Sequence, residues 1–161
     1  MNIAKEKDKK RGMKLGSVDA GTGHDNFLKG IVVQFDILYD QSFTRQLQRY
    51  RFVDIVSSQS TMHKLKDMDF TRCFNKFVDV EIIKRLETIR QEYRENPSND
   101  NFQRLVLNCP MGLEMWMGIS TNYLQLKTIY KQRKKHKLEA WKIFCDWIET
   151  LPMFKELVSV L

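Results

Sequence analysis

Between Gly30 and Leu38 apolar and mixed positions alternate with a period of two. Ile31, Val33, Phe35 and Ile37 fall on one side, Val32, Gln34, Asp36 and Leu38 on the other. That period predicts a β-strand with one wholly apolar face. The spacing then turns helical: Asp40 or Ser42 is placed to cap a helix to about Arg51, with Phe43, Leu47 and Tyr50 on its inner stripe. On it Gln46 and Arg49, three apart, share a face. Residues 52–66 read as a short extended piece and a polar loop containing Ser57, Ser58, Ser60 and Thr61. Asp67 or Asp69 then opens the longest predicted helix, which buries Phe70, Cys73, Phe74, Phe77, Ile82, Leu86, Ile89 and Tyr93. Pro97 excludes helix at the residue before it and ends that element. A short helix capped by Asp100 or Asn101 runs to Leu107, and a second strand covers Met111 to Ile119. Ser120 or Thr121 caps a helix from Asn122 to about Arg133. A last helix carries Leu138, Trp141, Ile143, Phe144 and Ile148 and stops before Pro152. The pattern thus sets two strands and a short extended piece among several helices.

Composition bounds this picture. The chain has 161 residues, of which 42% are hydrophobic and 29% charged, as expected for one globular domain. No run approaches the ~20 apolar residues of a membrane span, and the charged start, Met1 to Lys14, lacks the apolar stretch of a secretory signal. An intracellular, cytoplasmic protein with no membrane partner is expected. The three cysteines, Cys73, Cys109 and Cys145, are far apart, and His24, His63 and His136 have no metal-ligand spacing, so neither a disulfide framework nor a metal site is expected.

The net charge of +7 points to an anionic partner. Lys5 to Arg11 carries five cations and two acids without apolar periodicity, and residues 1–20 read as a basic, flexible arm preceding a single domain over 21–161. The loop from Ala20 to Asn26 holds Gly21 and Gly23, suited to positive φ, but lacks the Lys-Ser/Thr of a phosphate loop. A second basic run, Lys131 to Lys137, lies near Tyr123, Tyr130 and Trp141 and admits two readings, a nucleic-acid patch with cations on phosphates and aromatics for stacking, or a solvated corner between helices that take Tyr130 and Trp141 into the core. Arg49, Arg51, Arg104 and Arg133 supply forked donors suited to phosphates and nucleobase carbonyls, and the serine loop supplies hydroxyls. No Ser/His/Asp or Cys/His constellation and no isolated pair of acids indicates hydrolase chemistry.

These residues carry a resemblance. The flavin-dependent thymidylate synthases have a signature R-H-R followed by S-x-N-E-x-S-x-R-Y. This chain reads Arg49, Tyr50, Arg51, then Ser57, Ser58, Gln59, Ser60, Thr61, Met62, His63, with one extra residue between the halves. Gln46 stands three residues before Arg49, as the family's Gln does, and Gly23, His24 and Asp25 resemble its Gly-His-Glu segment before a strand. Downstream, Arg104 precedes Val106, Leu107 and Pro110, and Asn122 lies eleven residues before Arg133. The resemblance covers about Gly23 to Trp147 in the family's order.

It implies a mixed α/β (α+β) domain, a small mixed sheet packed with several helices, that assembles as a homotetramer, binds dUMP and FAD between subunits and transfers a methylene group from methylenetetrahydrofolate, with NADPH as reductant and no cysteine nucleophile. By position, Gln46, Ser60, Arg104 and Arg133 would contact the nucleotide, and Arg49, Arg51 and Asn122 would lie on the flavin side or between the two ligands. Several signature positions differ: Tyr50 replaces His, Ser58 Glu, Met62 Arg, His63 Tyr, Gly30 a further His, and Leu124 an Arg. Nucleotide-facing positions survive better than flavin-facing ones. The sequence therefore admits a divergent enzyme of this type, a catalytically inactive nucleotide-binding relative, and a basic nucleic-acid or partner-binding module.

Overall fold

The computed structural model describes residues 5–19 and 21–158. Among them are eight α-helices and one three-stranded sheet. The helices and strands are α1 (Glu6–Gly16), β1 (Val32–Asp40), α2 (Gln41–Leu47), β2 (Asp54–Ser58), α3 (Thr61–Lys64), α4 (Val80–Glu95), α5 (Asn99–Leu107), β3 (Glu114–Asn122), α6 (Tyr123–Arg133), α7 (Glu139–Glu149) and α8 (Phe154–Leu157). The sheet order is β1-β3-β2. The mixed α/β architecture is the one the resemblance implies. The chain divides into two compact units, one of residues 1–35, 50–54 and 120–161, the other of residues 36–49 and 55–119.

In the first unit the core is built on α6, α7 and α8. Leu126, Ile129, Tyr130, Trp141, Phe144, Ile148 and Phe154 are all buried. Phe35 of β1 packs on Phe144 and Trp147, with ring centroids 6.0 and 4.4 Å apart. Residues 1–20, expected as a basic, flexible arm, include α1, which packs against α8; Met1–Ala4 and Ala20 lie outside the described residues. Acidic Glu6 and Asp8 in its first turn and Lys14 in its last complement the helix dipole. Its inner face is glycine. A β-carbon at Gly16 would collide with the Leu157 carbonyl oxygen, so only glycine allows this approach. Gly21 and Gly23 adopt φ of 96° and 81°, the conformation expected of that loop.

The second unit centres on Leu65, Phe70, Cys73, Leu86, Ile89, Leu105 and Leu113. Here the sequence reading needs correction. The long helix begins at Val80 rather than near Asp67, because Asp79 is the N-cap that accepts from Glu81 N at 2.7 Å. The residues before it spend their backbone groups elsewhere. Asp69 Oδ1 accepts from Thr71 N, Asn75 Oδ1 accepts from Phe77 N, and Phe74 bridges Leu113 in antiparallel pairing. Phe70 and Cys73 are buried as expected, but Phe77 and Ile82 are 75% and 48% exposed.

Three boundaries also move. The helix after β1 is capped by Asp40, which accepts from Phe43 N at 2.9 Å, and ends at Leu47, short of Arg51. Ser57 and Ser58 belong to β2 instead of a loop. Ser120 and Thr121 complete β3, and Asn122 caps α6, its Oδ1 accepting from Gln125 N at 3.0 Å. In the first unit Ile143, expected in the core, is 58% exposed.

Candidate functional site

In the first unit the end of α6 builds a fixed cation. Arg133 Nε donates to Tyr50 Oη at 2.8 Å, and Tyr50 Oη donates to Gln132 Oε1 at 2.9 Å. The guanidinium carbon lies 4.7 Å from the ring centroid of Trp141 and 5.7 Å from that of Tyr50. Two aromatic walls thus set the plane of an arginine that is always charged. Trp141 is fully buried, so the wall is rigid. His136 meets Trp141 in an edge arrangement, ring centroids 6.2 Å apart; burial and the Arg133 charge push its pKa down, which favours neutral imidazole. At the opposite end of α6, Asn122 uses its oxygen as the cap and keeps its amide N–H groups. Arg51 is exposed and has no carboxylate partner among the described residues.

In the second unit Gln46 is half-buried on α2, whereas Arg49 lies in the turn beyond it. The expected common helical face is therefore replaced by a turn, with Arg49 N donating to Gln46 O at 3.3 Å. Ser60 precedes α3, and its carbonyl, not its hydroxyl, closes the first turn by accepting from His63 N and Lys64 N. Arg104 on α5 is half-exposed and already paired with Glu92 on α4. Any anion reaching Arg104 must share or displace that carboxylate.

This unit also holds a cleft of about 260 Å³ whose lining includes Tyr39, Arg45, Gln48, Met115 and Trp116, and none of the seven sequence-derived site residues. Gln59 closes one side, its backbone N donating to Trp116 O at 3.0 Å and its Oε1 accepting from Trp116 N at 3.1 Å. Sequence reasoning missed these residues. The signal was present in Gln41, Thr44, Arg45 and Gln48, a polar i, i+3, i+4, i+7 stripe continuing beyond α2.

The remaining reactive groups are quiet. Burial raises the thiols of Cys73, Cys109 and Cys145 to about 11, 12 and 11, so none supplies a thiolate near neutral pH. Asn75 Nδ2 bridges Asp40 Oδ2 and Glu114 Oε1 at 3.2 and 3.4 Å. Burial, and then the Asp40 charge, raise the pKa of Glu114. Among the described residues no group of three or more His, Cys, Asp or Glu could hold a metal ion, and no helix is long and apolar enough to cross a membrane.

No protein-family model matches the sequence, and no curated protein matches it. Solved structures do. Flavin-dependent thymidylate synthase ThyX from Helicobacter pylori, complexed with FAD and dUMP, superposes with a TM-score of 0.75 at 18% identity, covering 97% of this chain and 83% of that one. A second crystal structure of the same enzyme with FAD and dUMP gives 0.75 at 19% identity, covering 96% and 82%. At that identity the likeness is one of fold, and it extends over nearly the whole chain.

Proposed function

We propose that this chain, which has the fold of flavin-dependent thymidylate synthase, binds a pyrimidine deoxynucleotide of the dUMP type. Gln46, Ser60, Arg104 and Arg133 are its contacts, and Arg49, Arg51 and Asn122 form the flavin side. The carrying observation is the fold likeness over 97% of the chain to an enzyme complexed with FAD and dUMP. The residues fit these ligands by chemistry. Arg133 offers an oriented guanidinium, Ser60 a hydroxyl that capping does not use, and Asn122 free amide N–H groups. Arg49 and Arg51 are exposed cations suited to the diphosphate of FAD. When bound, FAD supplies the redox chemistry of methyl transfer, with methylenetetrahydrofolate as carbon donor and NADPH as reductant; the chain contributes binding, orientation and charge. The protein acts as a homotetramer in the cytoplasm.

One observation favours a second reading, a nucleotide-binding relative without the redox reaction. Tyr50 stands where the signature has His and is committed to Arg133 and Gln132. One experiment separates the two: visible absorption of the purified protein with FAD and dUMP, followed by thermal melting of the same samples. A bound-flavin spectrum that responds to dUMP supports the enzyme. Stabilisation by dUMP without flavin binding supports the relative, and binding of neither overturns both.

A further inference from the structure

The charge of the molecule is segregated. The unit containing α1, α6, α7 and α8 holds sixteen Lys and Arg against nine Asp and Glu, which is the whole of the +7; the other unit holds eleven of each. Within the basic unit the excess is ordered. Lys7, Lys10, Arg11 and Lys14 follow i, i+3, i+4, i+7 spacing on α1 and are all exposed. The opposite face of the helix carries the buried Gly12 and Gly16. The cations therefore point outward because the glycines dock inward. No salt bridge engages any of the four among the described residues. Glu6 and Asp8 belong to the first turn and lie off the stripe.

We infer that this outer stripe of α1 is a docking surface for the phosphate backbone of double-stranded nucleic acid. From Lys7 to Lys14 the helix axis advances about 10 Å, over which a duplex presents about six phosphates. Four cations on one line suit that density. The stripe carries no aromatic side chain, so it lacks the stacking platform on which single strands are held. It carries no apolar residue either, so it has nothing to insert beneath lipid headgroups. Lys127 fixes the helix in place: its Nζ donates to Gly16 O at 2.8 Å and to Val18 O at 2.6 Å. Recognition is of backbone charge, without base readout.

The test is fluorescence anisotropy of a labelled DNA duplex of mixed sequence with the full chain, over a range of salt. Lys7→Gln, Lys10→Gln, Arg11→Gln and Lys14→Gln combined should weaken binding at least tenfold and reduce the slope of log affinity against log salt by about 3 to 4, at about 0.9 per phosphate contact. Lys7→Arg, Lys10→Arg and Lys14→Arg combined should retain the wild-type slope, which separates lost charge from a damaged helix. Lys135→Gln with Lys137→Gln should change the slope by less than the α1 set. An unchanged slope in the α1 glutamine variant overturns the proposal. So does tighter binding of a labelled single strand, or of phosphatidylserine vesicles, than of the duplex.

Discussion

At the residue scale the molecule rests on two committed cations. Lys127 is fully buried, and its three protons meet the carbonyls of Gly16 and Val18 and, at 2.7 Å, the carboxylate of Asp25. Every donor is satisfied, which is the condition under which a buried charge is tolerated. Lys127→Met leaves Asp25 charged and alone, and should cost about 3 to 5 kcal/mol in urea unfolding. Adding Asp25→Asn removes the orphaned charge and should recover part of the loss; no recovery would mean that the two carbonyl bonds carry the effect. Arg133 is the second, held by Tyr50. Tyr50→Phe removes one hydrogen bond to the guanidinium and should weaken dUMP binding by about 1 kcal/mol, roughly fivefold. Calorimetric titration checks this, and the thermal midpoint without ligand should barely move. If Tyr50 served packing alone, the affinity would not change either, because phenylalanine keeps the ring that faces Arg133 and Trp141.

At the scale of elements, one carboxylate ties three helices. Glu149 on α7 accepts from Lys155 of α8 at 2.8 Å, contacts Tyr130 of α6, and faces Lys134 just beyond α6 at 3.4 Å. The bonds from Lys155 and Tyr130 hold its carboxyl down at about 2, from an ordinary 4.5. A depressed acid stabilises the fold above its unfolded pKa, and that contribution is lost as pH falls towards the folded value. Stability should therefore drop between about pH 4.5 and 2. Glu149→Gln should flatten that segment of a pH series of thermal melts; an identical profile would show that other carboxylates control it. The elements also show what was legible. The alternation of Ile31 to Ile37 marked β1, and the Asn122 to Arg133 spacing marked α6 to within one capping residue. Phe70 to Phe77 misled, because aromatic spacing of three and four does not reveal that Asp69 and Asn75 bond the local backbone or that Phe74 pairs with distant Leu113. For α1 the conventional signal was inverted. Its buried face is glycine, invisible to any hydrophobic pattern, and its regular stripe is charge. The candidate site residues came from the resemblance, and the Glu92 partner of Arg104 and the aromatic walls of Arg133 are tertiary facts that no spacing reveals.

At the scale of the whole molecule, two anionic ligands are proposed for one chain, and their physics differs enough to tell them apart. A mononucleotide carries a single phosphate, so its affinity should change little with salt, whereas the α1 stripe engages several phosphates and releases several counterions. Arg133→Ala removes a proposed nucleotide contact while leaving α1 intact, and neutralising α1 does the reverse. The expected result is a crossed pattern: Arg133→Ala loses the stabilisation by dUMP, about 2.7 kcal/mol at a hundredfold excess over Kd, and keeps duplex affinity within twofold. The α1 variant keeps the dUMP effect and loses the duplex. Saturating dUMP should leave the salt slope of duplex binding unchanged in the wild type, because no residue is shared between the two contact sets. If dUMP competes with the duplex, or if either variant loses both ligands together, the cations form one anion-binding surface, and the separation of nucleotide site from backbone-docking stripe fails.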